Sequence, residues 1–196
     1  MNWAFVSIGV GLALALPRWA AAQEETCHVS PAEAALLARP ELQARLHPQG
    51  VWAPPPYKIK AQALSERILA AHPELQAVNL HGHVPGVGVA TEFAGTLCFR
   101  IGHKEGADDL MIIDEGMTLI DPRMGKDDPD GPKYEVLLPL HDAAGEHRGM
   151  VVLIFRKNAY GGHDIQRDLY SAAIRIRDEM AAQIPGYDAL FERAGG

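Results

Sequence analysis

Two histidines spaced two residues apart, His81 and His83, are the first side chains in the sequence whose type and spacing could do chemistry. On a β-strand, residues i and i+2 point to the same face, so the two imidazoles could share a metal ion. A third ligand could come from His103, Glu92 or Asp114, although no Cys-x-x-Cys or His-Glu-x-x-His motif accompanies the pair. A metal-binding protein or metal-dependent enzyme is therefore one alternative, beside the simpler interpretation of one pocket histidine and one turn histidine.

Nucleophilic chemistry has less support in the sequence. The serines stand at positions 7, 30, 65 and 171, and none lies in a Gly-x-Ser-x-Gly turn. Cys98 is flanked by Leu97 and Phe99, and such apolar surroundings disfavour the reactive thiolate. No Walker motif is present, and the glycine pair at 86 and 88 lacks the third glycine of a dinucleotide-binding loop. We therefore expect no catalytic activity and no cofactor.

Cationic side chains in an acidic protein indicate anion binding instead. The formal net charge of −7 argues against nucleic acid and anionic membrane surfaces as partners. Arg100 follows an apolar triplet and Arg123 ends a predicted strand, and a guanidinium in a cleft can bind a carboxylate or phosphate through two hydrogen bonds. The alternative for each arginine is an ion pair with a nearby Asp or Glu.

Helices and strands that position these residues can be predicted from the apolar pattern. In chain order, the sequence predicts a helix over 61–75, strands over 77–84 and 89–93, a short helix over 107–116, a strand over 117–120, hairpin strands over 134–141 and 149–156, and a helix over 163–184. Pro139 inside a hairpin strand predicts an edge position or a bulge. This order indicates an α+β fold in which helices flank an antiparallel sheet.

The N-terminus is typical of an exported protein. Residues 4–16 are uncharged and largely apolar, Pro17 follows, and an alanine triplet precedes Gln23. The apolar run is shorter than the ~20 residues that cross a bilayer. We therefore expect residues 1–22 to be a signal peptide, with a periplasmic or secreted location and no stable membrane insertion after cleavage. The first residues lack Lys and Arg, so an uncleaved anchor is the alternative.

The rest of the chain divides into three predicted parts. Residues 23–56 form a helical and Pro-rich extension, 57–187 the domain, and 188–196 a C-terminal tail. Cys27 and Cys98 could form one disulfide in an oxidising compartment, but their spacing equally allows two thiols. The extension could also dock on a partner, which would make the chain a purely structural interaction domain.

Residues 64–184 resemble the extracytoplasmic Cache group, the PAS-like ligand-binding domains of bacterial sensors, in a small exported single-domain form. Residues 72–78 resemble the entry from the helix into the first strand of these domains. Residues 100–110 contain Ile-Gly-His-Lys and then Asp-Asp-Leu, a step similar to the one before their short helix. Residues 134–149 contain Leu-Pro-Leu-x-Asp-x-x-Gly, which resembles their closing hairpin.

The resemblance implies a PAS-like (single Cache) antiparallel sheet flanked by N- and C-terminal helices, with a small-molecule pocket on its concave face. The candidate ligand-binding residues are His81, Phe99, Arg100, Arg123, Tyr134 and Val136, with Glu92 as a further candidate. The implied function is small-molecule binding of the sensor type, and the arginines favour a carboxylate-bearing metabolite. Signal output would need a partner such as a membrane receptor or transporter.

Overall fold

The computed structural model describes residues 50–123, 132–160 and 165–195. The predicted signal peptide, Cys27 and most of the predicted extension lie outside these ranges. In chain order, the elements are helix α1 (Lys60–Ala71), strands β1 (Leu75–His83) and β2 (Ala90–Gly95), helix α2 (Ala107–Glu115), strands β3 (Leu119–Arg123), β4 (Lys133–His141) and β5 (His147–Arg156), and helix α3 (Ile165–Ala181). The predicted order of elements is confirmed.

The five strands form one antiparallel sheet with the order β2-β1-β5-β4-β3. The predicted α+β fold, with a PAS-like sheet and helices before and after it, is therefore confirmed. Within the described ranges, no helix has both the length and the apolar character that a membrane span requires.

Pro139 lies in β4, which is an interior strand between β3 and β5. The pairing of β4 with β5 shifts register between Pro139 and His141, and the pairing with β3 ends at Leu137. Of the two positions that the proline allowed, the structure therefore has the bulge and not the edge, because a proline cannot donate to a continuous ladder.

One face of the sheet, which we call the helix-pair face, is covered by α1 and α3. Helix α1 packs on β1 and β2, and α3 packs on β4 and β5. Six side chains that the hairpin strands β4 and β5 send to this face are fully buried: Val136, Leu138, Leu140, Val151, Leu153 and Phe155. This face holds the larger hydrophobic core of the domain.

The opposite face, which we call the α2 face, is covered by α2 and the segment that precedes it. Helix α2 contacts β4 and β5 through Ile112 and Ile113. Because strand side chains alternate, residues next to those of the helix-pair face, such as Leu137 and Val152, point to this side. Helix α2 ends at Gly116, which has the left-handed conformation that the predicted glycine stop requires.

Residues beyond the predicted domain boundary at 187 pack on the domain. A 3₁₀ turn over Tyr187–Phe191 buries Leu190, which is 3% exposed. The backbone N–H of Lys60 donates to the carbonyl of Glu192 at 2.8 Å. Apolar side chains and backbone pairing therefore hold this segment against the start of α1.

The described end of the predicted extension packs on the segment after β2. The Val51 N–H donates to the carbonyl of Gly102 at 2.8 Å, and Trp52 packs against Cys98 and Ile101. Gly102 has a φ of +90°, and a Cβ there would overlap the Trp52 carbonyl, so this approach requires glycine. Cys98 is buried, and none of the cysteines in the described ranges is free. Its pairing with Cys27 stays a prediction.

Candidate functional site

A cavity of about 310 Å³ lies on the α2 face, between the sheet, α2 and the segment that follows β2. Its apolar part comes from Leu97, Leu137, Val152 and Ile154. Its polar and charged lining consists of Asn79, His81, Arg100, Asp109, Lys133 and Glu135. A concave volume of this size, with apolar walls and a few convergent polar groups, is typical of a small-molecule site.

A second cavity of about 320 Å³ lies between α1 and the C-terminal segment. Its two cations, Lys60 and Arg67, bond to Glu192 and Gln183 respectively. The α2-face cavity differs because a buried ionisable side chain lines it, and buried ionisable groups concentrate at functional sites. We therefore take the α2-face cavity as the candidate site.

His81 is the buried ionisable side chain in the wall of this cavity, and it is 3% exposed. Strand alternation in β1 places Ala77, Asn79 and His81 on the α2 face. The Nδ1 atom of His81 lies 2.9 Å from Oε1 of Glu105, and its Nε2 lies 4.0 Å from Oε2 of Glu92. The imidazole therefore lies between two carboxylates.

Glu92 and Arg100 form the second ion pair of the site. Glu92 is 1% exposed and pairs with His81 across β1 and β2. The Nε of Arg100 donates to Oε2 of Glu92 at 3.1 Å, while the Arg100 side chain is 45% exposed and lines the cavity. Among the described residues, His81 Nε2 and Glu92 Oε1 have no hydrogen-bond partner. The buried carboxylate therefore holds the arginine at the cavity and keeps one oxygen without a partner there.

Glu105 and Asp109 connect the histidine to α2. Glu105 is 7% exposed, and its carboxyl group shares a hydrogen bond with that of Asp109. Asp109 also accepts the Gly106 N–H at 3.1 Å, which caps the start of α2. A continuous set of ionisable groups thus runs from α2 through His81 to Arg100.

Burial and the neighbouring charges have opposite effects on the pKa of His81. Burial alone would lower the pKa of the imidazole, because it disfavours the charged form. The negative charges of Glu105 and Glu92 outweigh burial, so the pKa of His81 is raised. Burial would raise the pKa of Glu105, but the adjacent His81 outweighs it, so that pKa is lowered. The two shifts describe an imidazolium–carboxylate pair.

The pKa values of Glu92 and Asp109 shift in the opposite direction from that of Glu105. Burial raises the pKa of Glu92, and the nearby His81 and Arg100 only partly oppose it. Burial and the charge of Glu105 raise the pKa of Asp109. The site therefore contains more carboxyl groups than its cations fully stabilise as carboxylates.

Two of the sequence-predicted site residues, His81 and Arg100, line the same cavity, and Glu92 lies between them. Phe99 is half-buried in the 3₁₀ turn Cys98–Arg100 beside Arg100. Arg123 is the last residue of β3, where its backbone pairs with Lys133 of β4. The structure therefore brings His81, Glu92 and Arg100 together, while the ligand-binding role of these residues stays a prediction.

Tyr134 and Val136 lie on the helix-pair face and do not line this cavity. Val136 is fully buried in the core of the helix-pair face, and Tyr134 packs against the same core. Strand alternation gives the α2 face to Lys133, Glu135 and Leu137 instead. The predicted residues of β4 and the residues of β4 that line this cavity therefore belong to different sets of alternating positions.

Several site residues were absent from the sequence prediction. Lys133 and Glu135 could have been found by choosing the other set of alternating positions in β4. Glu105 lies in an irregular segment, where it contacts His81 and shares a hydrogen bond with Asp109 of α2, so no periodic signal identifies it. The contact of Glu105 with His81 is visible only in the tertiary structure.

The metal-binding alternative on His81 and His83 is not supported. His83 is exposed and its Nε2 lies 2.8 Å from Oδ1 of Asp114, whereas His81 is buried against Glu105. Within residues 50–123, 132–160 and 165–195, no three His, Cys, Asp or Glu side chains are grouped so that they could hold a metal ion.

Comparison with known proteins finds distant similarity to solved structures. No protein-family model and no curated protein matches this chain. Among solved structures, the sensor domain of E. coli DcuS is similar with a TM-score of 0.35 and 16% sequence identity, over 65% of this chain and 84% of that chain. A similarity at this level assigns neither a family nor a ligand. The fold and the site define the class: an α+β domain with a PAS-like sheet and a charged cavity under a short helix.

Proposed function

We propose that this chain is an exported small-molecule-binding domain of the sensor type, without catalytic activity of its own. Its ligand is a small carboxylate-bearing metabolite in the α2-face cavity. The observation that carries this proposal is the cavity itself, in which an exposed guanidinium, that of Arg100, is fixed by the buried carboxylate of Glu92.

Arg100 favours a carboxylate for geometric reasons. Its Nε is occupied by Glu92, and this bond restricts the side chain before any ligand arrives. A guanidinium held in place loses less conformational entropy on binding, and its planar donors match the two oxygens of a carboxylate. His81 and Lys133 add positive charge to the same wall.

The acidic lining residues restrict the ligand further. Asp109 and Glu135 also line the cavity. Their carboxyl groups are opposite in charge to Arg100 and accept hydrogen bonds. A simple inorganic anion would use only part of this lining. We therefore expect the ligand to carry hydrogen-bond donors as well as its carboxylate.

Two observations support a wider assignment to a group of domains: the resemblance of the sequence segments over 64–184 and the PAS-like sheet. We place the domain in the extracytoplasmic Cache group, exported by residues 1–22 to the periplasm or the medium. A separate membrane receptor or transporter would receive the signal of the bound state. Removal of the ligand would then change contacts with that partner.

A thermal-shift screen of organic acids, amino acids and purines tests the proposal. A ligand at 100 times its Kd stabilises the folded state by about 2.7 kcal/mol, which a melting curve resolves. We expect carboxylates to raise the Tm of the natural protein and to have little effect on Arg100→Met. Arg175→Met, which changes an exposed arginine on α3, serves as the matched control and should respond like the natural protein. The proposal is wrong if no compound raises the Tm, or if both variants respond equally.

A further inference from the structure

Glu105 lies between His81 and Asp109 and has no counterpart in the sequence prediction. Its Oε1 lies 2.9 Å from His81 Nδ1, and both side chains are almost completely buried. This contact fixes the orientation of the imidazole ring, because Nδ1 must face Glu105. The other ring nitrogen, Nε2, then faces Glu92 at 4.0 Å.

Charge balance explains why the ring should carry two protons. Glu92 and Glu105 are both buried, and Arg100 bonds directly to Glu92. If His81 were neutral, Glu105 would lack a cation in direct contact. An uncompensated buried carboxylate is costly, so the imidazolium is the favoured partner.

The charged groups that face His81 come from several elements. They are Glu92 of β2, Arg100 of the 3₁₀ turn, Glu105 before α2, Asp109 of α2, and Lys133 and Glu135 across the cavity on β4. On β5, the residue paired with His81 is Met150, which carries no charge. Carboxyl groups therefore outnumber cations around the imidazole.

We propose that Glu105 is a positioning residue that keeps His81 doubly protonated at the cavity wall and thereby makes anion binding depend on pH. This inference rests on the proposed function, because it concerns the same cavity. A positive charge in a partly buried wall attracts an anion more strongly than it would in water. Affinity for an anion should be highest while His81 is protonated and should fall as rising pH removes that proton.

The first arm of the test needs no ligand. Histidine NMR signals are titrated over about pH 5 to pH 8 in the natural protein, in Glu105→Gln and in Glu115→Gln, an exposed control on α2. Glutamine can still accept a hydrogen bond from Nδ1, so the exchange removes the charge and retains the geometry. We expect His81 to lose its proton at lower pH in Glu105→Gln and at an unchanged pH in Glu115→Gln.

Two results in this arm would overturn the inference. One is an identical His81 titration in Glu105→Gln and the natural protein. The other is a natural His81 that titrates at or below the pH of free histidine, and this result decides the question even if Glu105→Gln does not fold.

The second arm measures malonate binding by calorimetry in the same three proteins over the same pH range. We expect malonate affinity to fall with rising pH, and the fall to begin at lower pH in Glu105→Gln. A malonate affinity that does not change with pH would overturn the inference. If the His81 titration shifts as expected but malonate and the other carboxylates bind to none of the proteins, the proposed function fails while the hold of Glu105 on His81 stands.

Discussion

The two faces of this sheet share the same strands but have different chemistry. Leu138 points to the helix-pair face and is fully buried among apolar side chains. Its neighbour Leu137 points to the α2 face and borders a cavity whose wall contains His81 and Arg100. Successive residues of one strand therefore face a packed core on one side and the candidate site on the other.

The covering helices explain the difference. Two helices, α1 (Lys60–Ala71) and α3 (Ile165–Ala181), cover the helix-pair face. Among the described residues, the α2 face is covered by the nine-residue helix α2 (Ala107–Glu115) and the segment that precedes it. The shorter cover leaves a cavity of about 310 Å³. We infer that stability is concentrated on the helix-pair face and ligand binding on the α2 face.

The largest effect on stability is expected from shortening one of two adjacent leucines, Leu138 and Leu137. Leu138→Ala should lower the free energy of unfolding by about 4 kcal/mol, because it opens a void in a tightly packed core. Leu137→Ala should cost about 2 kcal/mol, because that side chain already borders a cavity. Urea unfolding of both variants measures the two values. Equal losses would contradict the proposed division between the faces.

A smaller effect is expected at the ion pair of the α2 face. Arg100→Met should destabilise the protein by about 2 kcal/mol, because it leaves the buried Glu92 carboxylate without its arginine. Adding Glu92→Gln should recover most of this loss, since the remaining group is neutral. A double-mutant cycle in urea gives the coupling energy. Additive losses would show that the two side chains do not act as a pair.

The smallest effect is a pH dependence of stability. The pKa of His81 is raised in the folded protein by Glu105 and Glu92 against the effect of burial. Its contribution to stability is therefore complete below the ordinary histidine pKa of 6.5 and is lost as pH rises through the folded value. We expect the natural protein to lose stability over that range, and His81→Gln to lose less, in urea unfolding at a series of pH values. Parallel curves would contradict the expected charge state.

The sequence predicted the elements better than the site. Helical and strand periodicity depend on local side-chain pattern, so the eight helices and strands of the described residues were all expected in the observed order. In β4, however, both sets of alternating positions contain leucine, as at Leu137 and Leu138, so hydrophobicity alone did not decide which set faces the cavity. For this reason the sequence prediction chose Tyr134 and Val136, which lie on the helix-pair face.

The contacts that the sequence did not indicate join segments that are far apart in the chain. Glu105 lies in an irregular segment, and its position against His81 depends on how that segment crosses the end of β1. The turn Tyr187–Phe191 is too short to give a periodic signal, although it packs on the domain through Leu190. Such contacts arise from tertiary packing, which the local pattern does not record.

A methyl NMR titration tests most directly whether the α2 face binds a small carboxylate. The protein is labelled at Ile, Leu and Val methyl groups and titrated with the carboxylates that raise its Tm. We predict the largest shifts at Leu137, Val152 and Ile154, which line the cavity, and small shifts at Leu138, Val151 and Leu153 on the opposite face. Larger shifts at the second group, or no shift at the first, would contradict the account.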